Sequence, residues 1–202
     1  MKKLLGIMAI TALAASAFAQ GTVILQNQTG LVKQWTSATD STLISVPKNG
    51  GFIELIGAPT GTALVGSIIN YTSLAGFLGA NPLWAVGAAA SPIALGAGLF
   101  SNGTVTIGNI AAGGPSASYL LIGWTGTLTT WDAALANGTG MFGQSAVATT
   151  ATGDPNATPV PGFPVSLRPT FGGMTLSPIP EPATFALAGL GLAALVAFRR
   201  RN

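Results

Sequence analysis

Between Glu54 and Asp132 the chain runs for 77 residues without one charged side chain. Globular domains normally draw about a quarter of their residues from Asp, Glu, Lys and Arg; here those four make up 6% of the chain. Two solutions satisfy that constraint. One is a membrane-embedded segment, for which residues 83–100 are the best stretch. Ser91-Pro92 and several glycines interrupt it, Asn81-Pro82 and Asn102-Gly103 bound it with turn signals, and no basic flank fixes an orientation. The other is a β-rich domain whose faces carry hydroxyls and amides in place of charges. The residue pattern favours this second solution.

Short β-branched and aromatic runs alternate with Gly, Pro and Asn turns along the chain. The pattern predicts strands from Gly21 to Gln26 and from Gly51 to Ile56, the latter after a Pro47-Lys48-Asn49-Gly50 turn. Further strands are expected at Thr104 to Ile107, Ser118 to Trp124, Ser145 to Thr150, Val165 to Leu167 and Met174 to Leu176. The run from Ser118 to Trp124 is apolar on both faces at its centre, which places it in mid-sheet. One helix interrupts the strands, from Trp131 to Ala136, with Asp132 in its first turn and Gly138 as its stop. The expected fold is therefore all-β, an antiparallel β-sandwich-like domain over 20–153. From Asp154 to Ile179 six prolines favour a wrap around the domain, ending in Ser177-Pro178-Ile179 as a stiff spacer.

The two ends differ in kind from this body. Residues 1–19 begin with Lys2 and Lys3, continue with an apolar stretch from Leu4 to Ala15, and close on Ala17-Phe18-Ala19. These are the three regions of a secretory signal peptide, with a helical apolar part and a cut expected after Ala19, before Gln20. At the other end Pro180-Glu181-Pro182 precedes sixteen uncharged residues, 183–198, followed by Arg199, Arg200 and Arg201. Ala and Leu dominate those sixteen, so a helix of about 24 Å is expected, shorter than the roughly 30 Å hydrocarbon core it would cross. Snorkelling arginines extend such a span and act as a cytoplasmic stop, which puts the body outside the cytoplasm. The chain thus divides into a signal peptide (1–19), an exported domain (20–153), a Pro-rich wrap (154–179) and a tail (180–202) with a single transmembrane helix at 183–198.

The Pro-Glu-Pro, the Ala- and Gly-rich span and the terminal arginine cluster together resemble the PEP-CTERM sorting tail of exported bacterial proteins. The same tail also goes by the label of an ice-binding protein C-terminal segment, a label that does not itself imply ice binding. The resemblance implies that Pro180, Glu181 and Pro182 are recognised by a membrane-embedded exosortase that cuts nearby, making this chain a substrate of that enzyme. Ile179 stands where such tails often carry valine. The resemblance further implies an association with exopolysaccharide or biofilm matrix. It covers residues 180–202 only and assigns nothing to the body.

For the body, composition excludes more than it assigns. The chain has no His and no Cys, which removes the commonest general base, disulfides and the usual transition-metal ligands. The targeting ends supply most of the positive charge; between them lie Lys33, Lys48 and Arg168 against Asp40, Glu54, Asp132 and Asp154. Three scattered cations cannot displace counterions from nucleic acid, so nucleic-acid binding is excluded. Gly189-Leu190-Gly191-Leu192-Ala193-Ala194 fits a GxGxxA pattern but lacks the strand before it and the acid after it, so no dinucleotide cofactor is expected.

No two of the four carboxylates are brought together by local spacing. Glu54, alternating with Phe52 and Ile56, reads as a solvated or edge charge, and Asp154-Pro155 reads as a turn. The leading expectation is a non-catalytic exported envelope or matrix protein without cofactor or metal, membrane-anchored and then left at the surface or released. Neutral glycans are candidate partners, for which Trp35, Trp84, Trp124 or Trp131 would have to be exposed. The alternative is a secreted carbohydrate-active hydrolase, which requires two of the carboxylates to converge in one cleft. Five N-x-[ST] sequons, at Asn27, Asn70, Asn102, Asn137 and Asn156, add candidate glycosylation points, although turn chemistry accounts for the two Asn-Gly-Thr cases.

Overall fold

The computed structural model describes residues 20–111, 116–155 and 157–179. The signal segment with Ala17 and Ala19, the Pro180-Glu181-Pro182 tripeptide, the expected span at 183–198 and Arg199, Arg200 and Arg201 lie outside the described residues. Among the described residues no helix is long and apolar enough to cross a membrane.

The body is mostly β and its pairing is mostly antiparallel. In chain order the strands are β1 (Gln20–Gln26), β2 (Val32–Trp35), β3 (Leu43–Ser45), β4 (Gly51–Pro59), β5 (Ala85–Val86) and β6 (Ser91–Pro92). They continue as β7 (Ser101–Ala111), β8 (Ala117–Thr125), β9 (Met141–Gln144), β10 (Ala148–Thr150), β11 (Val165–Ser166) and β12 (Met174–Pro178). Two short helices join them, α1 (Leu74–Ala80) and α2 (Trp131–Asn137), with a 3-10 turn at Ile68–Asn70. A small sheet has the order β11-β1-β7, and a large one runs β3-β2-β12-β9-β8-β4-β5 with β10 on β8 and β6 on β4. Two pairings are parallel, β1 with β11 and β2 with β12.

The strand expected in mid-sheet is there. β8 pairs with β4 along its whole length, from Thr125 opposite Gly51 to Ala117 opposite Pro59, and with β9 and β10 on its other edge. Alternation sends its side chains to two different cores. Tyr119 and Leu121 point with Ile53 and Leu55 of β4 toward Val23 and Leu25 of β1 and Ile107 of β7, filling the space between the sheets. Leu120, Ile122 and Trp124 point the other way, with Ile56, into a second core closed by Phe77 of α1 and by Trp131 and Ala134 of α2. At Gly57 the first core leaves no room for a side chain, because a Cβ there would collide with Ile107 Cγ2.

Residues 83–100, the stretch for which the β reading was favoured over a membrane segment, form β5 and β6 on the free edge of β4, together with connecting turns. Several other expectations are corrected. Asn102-Gly103 is not a turn before a strand; it lies inside β7. Gly103, with φ of 73°, sits where the β1–β7 register shifts between Ile24 and Gln26, so it forms a bulge. A second helix, α1, accompanies the expected one. The expected strand at 145–150 is confined to β10, and the chain before it adds β9. Finally, Ser177 and Pro178 are paired to Phe142 and Met141 of β9, so they are strand and not spacer.

Pairing also fixes where the two ends of the body lie. Thr150 pairs with Ala117 at the start of β8, and Gly153 bridges Thr22. Pro178 lies beside Met141, whose neighbour Phe142 pairs with Trp124 near the end of β8. From Ala117 to Trp124 the strand rises roughly 23 Å. The chain therefore enters the body at one pole and leaves it at the other.

Candidate functional site

The exit pole holds helix α2 and the start of α1. Helix α2 forms there because Thr130 caps it by accepting from the Ala133 N–H at 3.4 Å, and Gly138 ends it in the left-handed region with φ of 70°. Asp132, in its first turn, is exposed and accepts a hydrogen bond from the Leu74 N–H at 2.7 Å. That bond ties α2 to the start of α1, whose own cap is Ser73 accepting from Gly76 N–H at 3.0 Å.

Beneath the two helices lies Glu54. It sits on β4 opposite Ile122, on the face shared with Ile56 and Trp124, and is 8% exposed. This corrects the reading of a solvated or edge charge: β4 has β8 on one side and β5 and β6 on the other, and the helices cover its face. Among the described residues neither a hydrogen bond nor a cation offsets that burial. Burial, and secondarily the nearby charge of Asp132, push its pKa from 4.5 up to about 7. Glu54 and Asp132 are thus the pair of carboxylates the fold brings within electrostatic reach. Asp40 instead holds an exposed turn, accepting from Thr42 N–H at 2.9 Å, and that bond keeps its carboxyl below the usual range. Asp154 closes the loop after β10, its carbonyl accepting from Gly162 N–H at 2.6 Å.

Trp131 is also strained for polarity. It is 1% exposed, its ring packs edge-on against Trp124 and Phe142, and its indole N–H has no partner. Trp124 and Trp84, by contrast, donate to the carbonyls of Leu128 and Ala63. Trp84, Trp124 and Trp131 are all core; Trp35, on β2, is half-buried. Three of the four expected stacking platforms are therefore closed to a sugar ring.

An open groove of about 460 Å³ lies at the same pole. Leu135 and Phe142 form part of its apolar wall, Asn70, Thr72 and Asp132 line its polar part, and Ile179 completes it. Glu54 is not among its lining residues. Ile179 also packs on the helix-covered core, one residue before the tripeptide. Sequence reasoning missed this groove, since its parts come from three separate stretches of chain. Among the described residues no group of three or more acidic side chains is placed to hold a metal ion.

Of the sorting and cleavage residues, Gln20 alone is described: its backbone opens β1, opposite Ala111. The family described as the PEP-CTERM protein-sorting motif matches residues 178–201. Its first residue, Pro178, is therefore the last residue of β12. No curated protein and no solved structure matches the chain.

Proposed function

We propose that this chain is a non-catalytic exported protein of the cell envelope or extracellular matrix, delivered by its tail to a membrane-embedded exosortase. In this reading Pro180, Glu181 and Pro182 are the recognition element. The span at 183–198 holds the chain in the membrane until it is cut, and Arg199, Arg200 and Arg201 stop it on the cytoplasmic side. The match of the sorting motif to residues 178–201 is the observation that carries the proposal. The body supports it by being a folded β-rich structure whose last strand, β12, reaches the first residue of that match. We take that body as a β-sandwich, two sheets packed through the Val23, Leu25, Leu55 and Leu121 core. Association with exopolysaccharide or biofilm matrix follows from the resemblance of the tail; for neutral glycans Trp35 is the remaining aromatic platform.

The hydrolase alternative draws on one observation, a carboxyl raised to about 7 beside a second carboxylate. Against it, Glu54 lies under the helices and outside the groove, where a glycosidic oxygen would not meet it. Glu181→Ala in the native host, followed by cell fractionation, tests the sorting reading. The variant is expected to accumulate uncut in the membrane fraction. Processing and distribution identical to the unaltered chain would contradict the reading.

A further inference from the structure

The junction between body and sorting motif has no slack. Ser177 and Pro178 are paired in the large sheet, Ile179 is packed on the core, and the tripeptide starts at the next residue. A fully extended chain advances at most about 3.6 Å per residue, so Pro182 lies within roughly 11 Å of Ile179 and residue 183 within roughly 14 Å. A stable protein–protein contact covers about 800 Å² on each partner, a patch considerably wider than that reach. An enzyme that grips Pro180-Glu181-Pro182 therefore meets the exit pole of the body at the same time.

What it meets there is concave and chemically specific. The groove has apolar walls from Leu135, Phe142 and Ile179. On its rim Asp132 is the one charged side chain among the lining residues, its Oδ1 accepting from the Leu74 N–H. The opposite pole, where β1 begins, is at the far end of β8 and cannot share the contact.

The geometry points to this groove as a second recognition element, a docking site for the extracytoplasmic face of the sorting enzyme. The occupant it fits is an apolar side chain of the enzyme flanked by a hydrogen-bond donor or a cation facing Asp132. The inference rests on the sorting reading above and adds that the enzyme reads the folded body together with the tripeptide. Docking of this kind makes the distance between groove and motif part of the signal.

The test is a pulse-chase measurement of C-terminal processing in the native host, using the full chain. One variant inserts a flexible Gly/Ser linker of about ten residues between Ile179 and Pro180, leaving the body and the Pro180-Glu181-Pro182 tripeptide intact but separating them. The other is Thr72→Arg, an exposed rim position whose substitution fills the groove. Both are expected to slow processing about fivefold or more, the loss typical of removing one useful interface contact. An unchanged melting temperature of the Thr72→Arg body shows that folding is not the cause, and the linker variant leaves the body sequence untouched. Processing of either variant at the original rate or faster overturns the docking site and makes the body a passenger. Glu181→Ala, run alongside, separates the two failures. If that variant is also cut normally, the sorting reading itself is wrong.

Discussion

The two faces of the large sheet solve the same packing problem with different materials. The face toward the small sheet is closed mainly by aliphatic residues, Val23, Leu25, Ile53, Leu55, Ile107 and Leu121, with the edge-on pair Phe100 and Phe171, and its one phenol, Tyr119, meets Thr170 Oγ1 at 2.8 Å. The face under the helices carries the tryptophans, together with the Glu54 carboxyl, raised by burial to about 7, and the Trp131 indole N–H, which has no partner among the described residues. The difference shows that a body nearly free of charge still places an ionisable group and an unpaired donor on one face of its large sheet. Ile179, next to the sorting tripeptide, packs on that same face.

The largest expected effect lies on the first face. Leu121→Ala removes a fully buried side chain with sheets on both sides and little capacity to collapse, at a cost of about 2–5 kcal/mol. Chemical denaturation of the body measures it. A cost below about 1 kcal/mol would make the two faces equivalent in rigidity.

The next effect belongs to Glu54. An acid whose pKa rises from 4.5 to about 7 on folding holds more protons in the native state between those values. Its contribution to stability is fully present below pH 4.5, falls as pH rises, and levels off above about 7. Glu54→Gln keeps the shape without the charge. It is expected to flatten this dependence and to raise stability at pH 8 by roughly 2–3 kcal/mol. Denaturation midpoints of both forms at pH 5 and pH 8 provide the check; parallel profiles would place Glu54 in contact with solvent.

Smaller still is Asp132→Ala, which removes the acceptor for Leu74 N–H and is expected to cost about 1 kcal/mol. It also removes a charge that raises Glu54, so the fall in stability with pH should end at a lower pH than in the unaltered chain. The smallest effect is Trp131→Phe. Because the indole N–H makes no bond to lose, its removal offsets part of the lost ring area, and the net change should stay below about 1 kcal/mol. A larger loss would mean that the N–H is bonded in solution.

Much of the body was legible from sequence, and the gaps have physical causes. β8 announces itself because it is buried on both faces, and α2 because Asp132 and Gly138 mark its ends; the Thr130 cap emerges only in the structure. Glu54 was misread because alternation shows which residues share a face but not whether helices from elsewhere cover it. The helix α1 reads LAGFLGA, whose two glycines weaken its local signal, so packing of Phe77 and the bond from Asp132 decide its state. Pro178 argued for a spacer, yet it is tolerated at the end of β12, past the last residue paired with β2. Gly103 carries a left-handed φ that serves a turn or a bulge equally well; the register with β1 selects the bulge. The tail motif was fully legible because it is contiguous, and the groove was not because it is assembled from distant stretches.

Intact mass of the protein recovered from its native host, with and without the sorting enzyme, tests the central claim most directly. The account predicts a polypeptide that starts at Gln20 and ends near Pro180-Glu181-Pro182 when the enzyme is present, and one that keeps its tail when the enzyme is absent. A soluble cytosolic polypeptide with the full mass of residues 1–202 in both strains would contradict it.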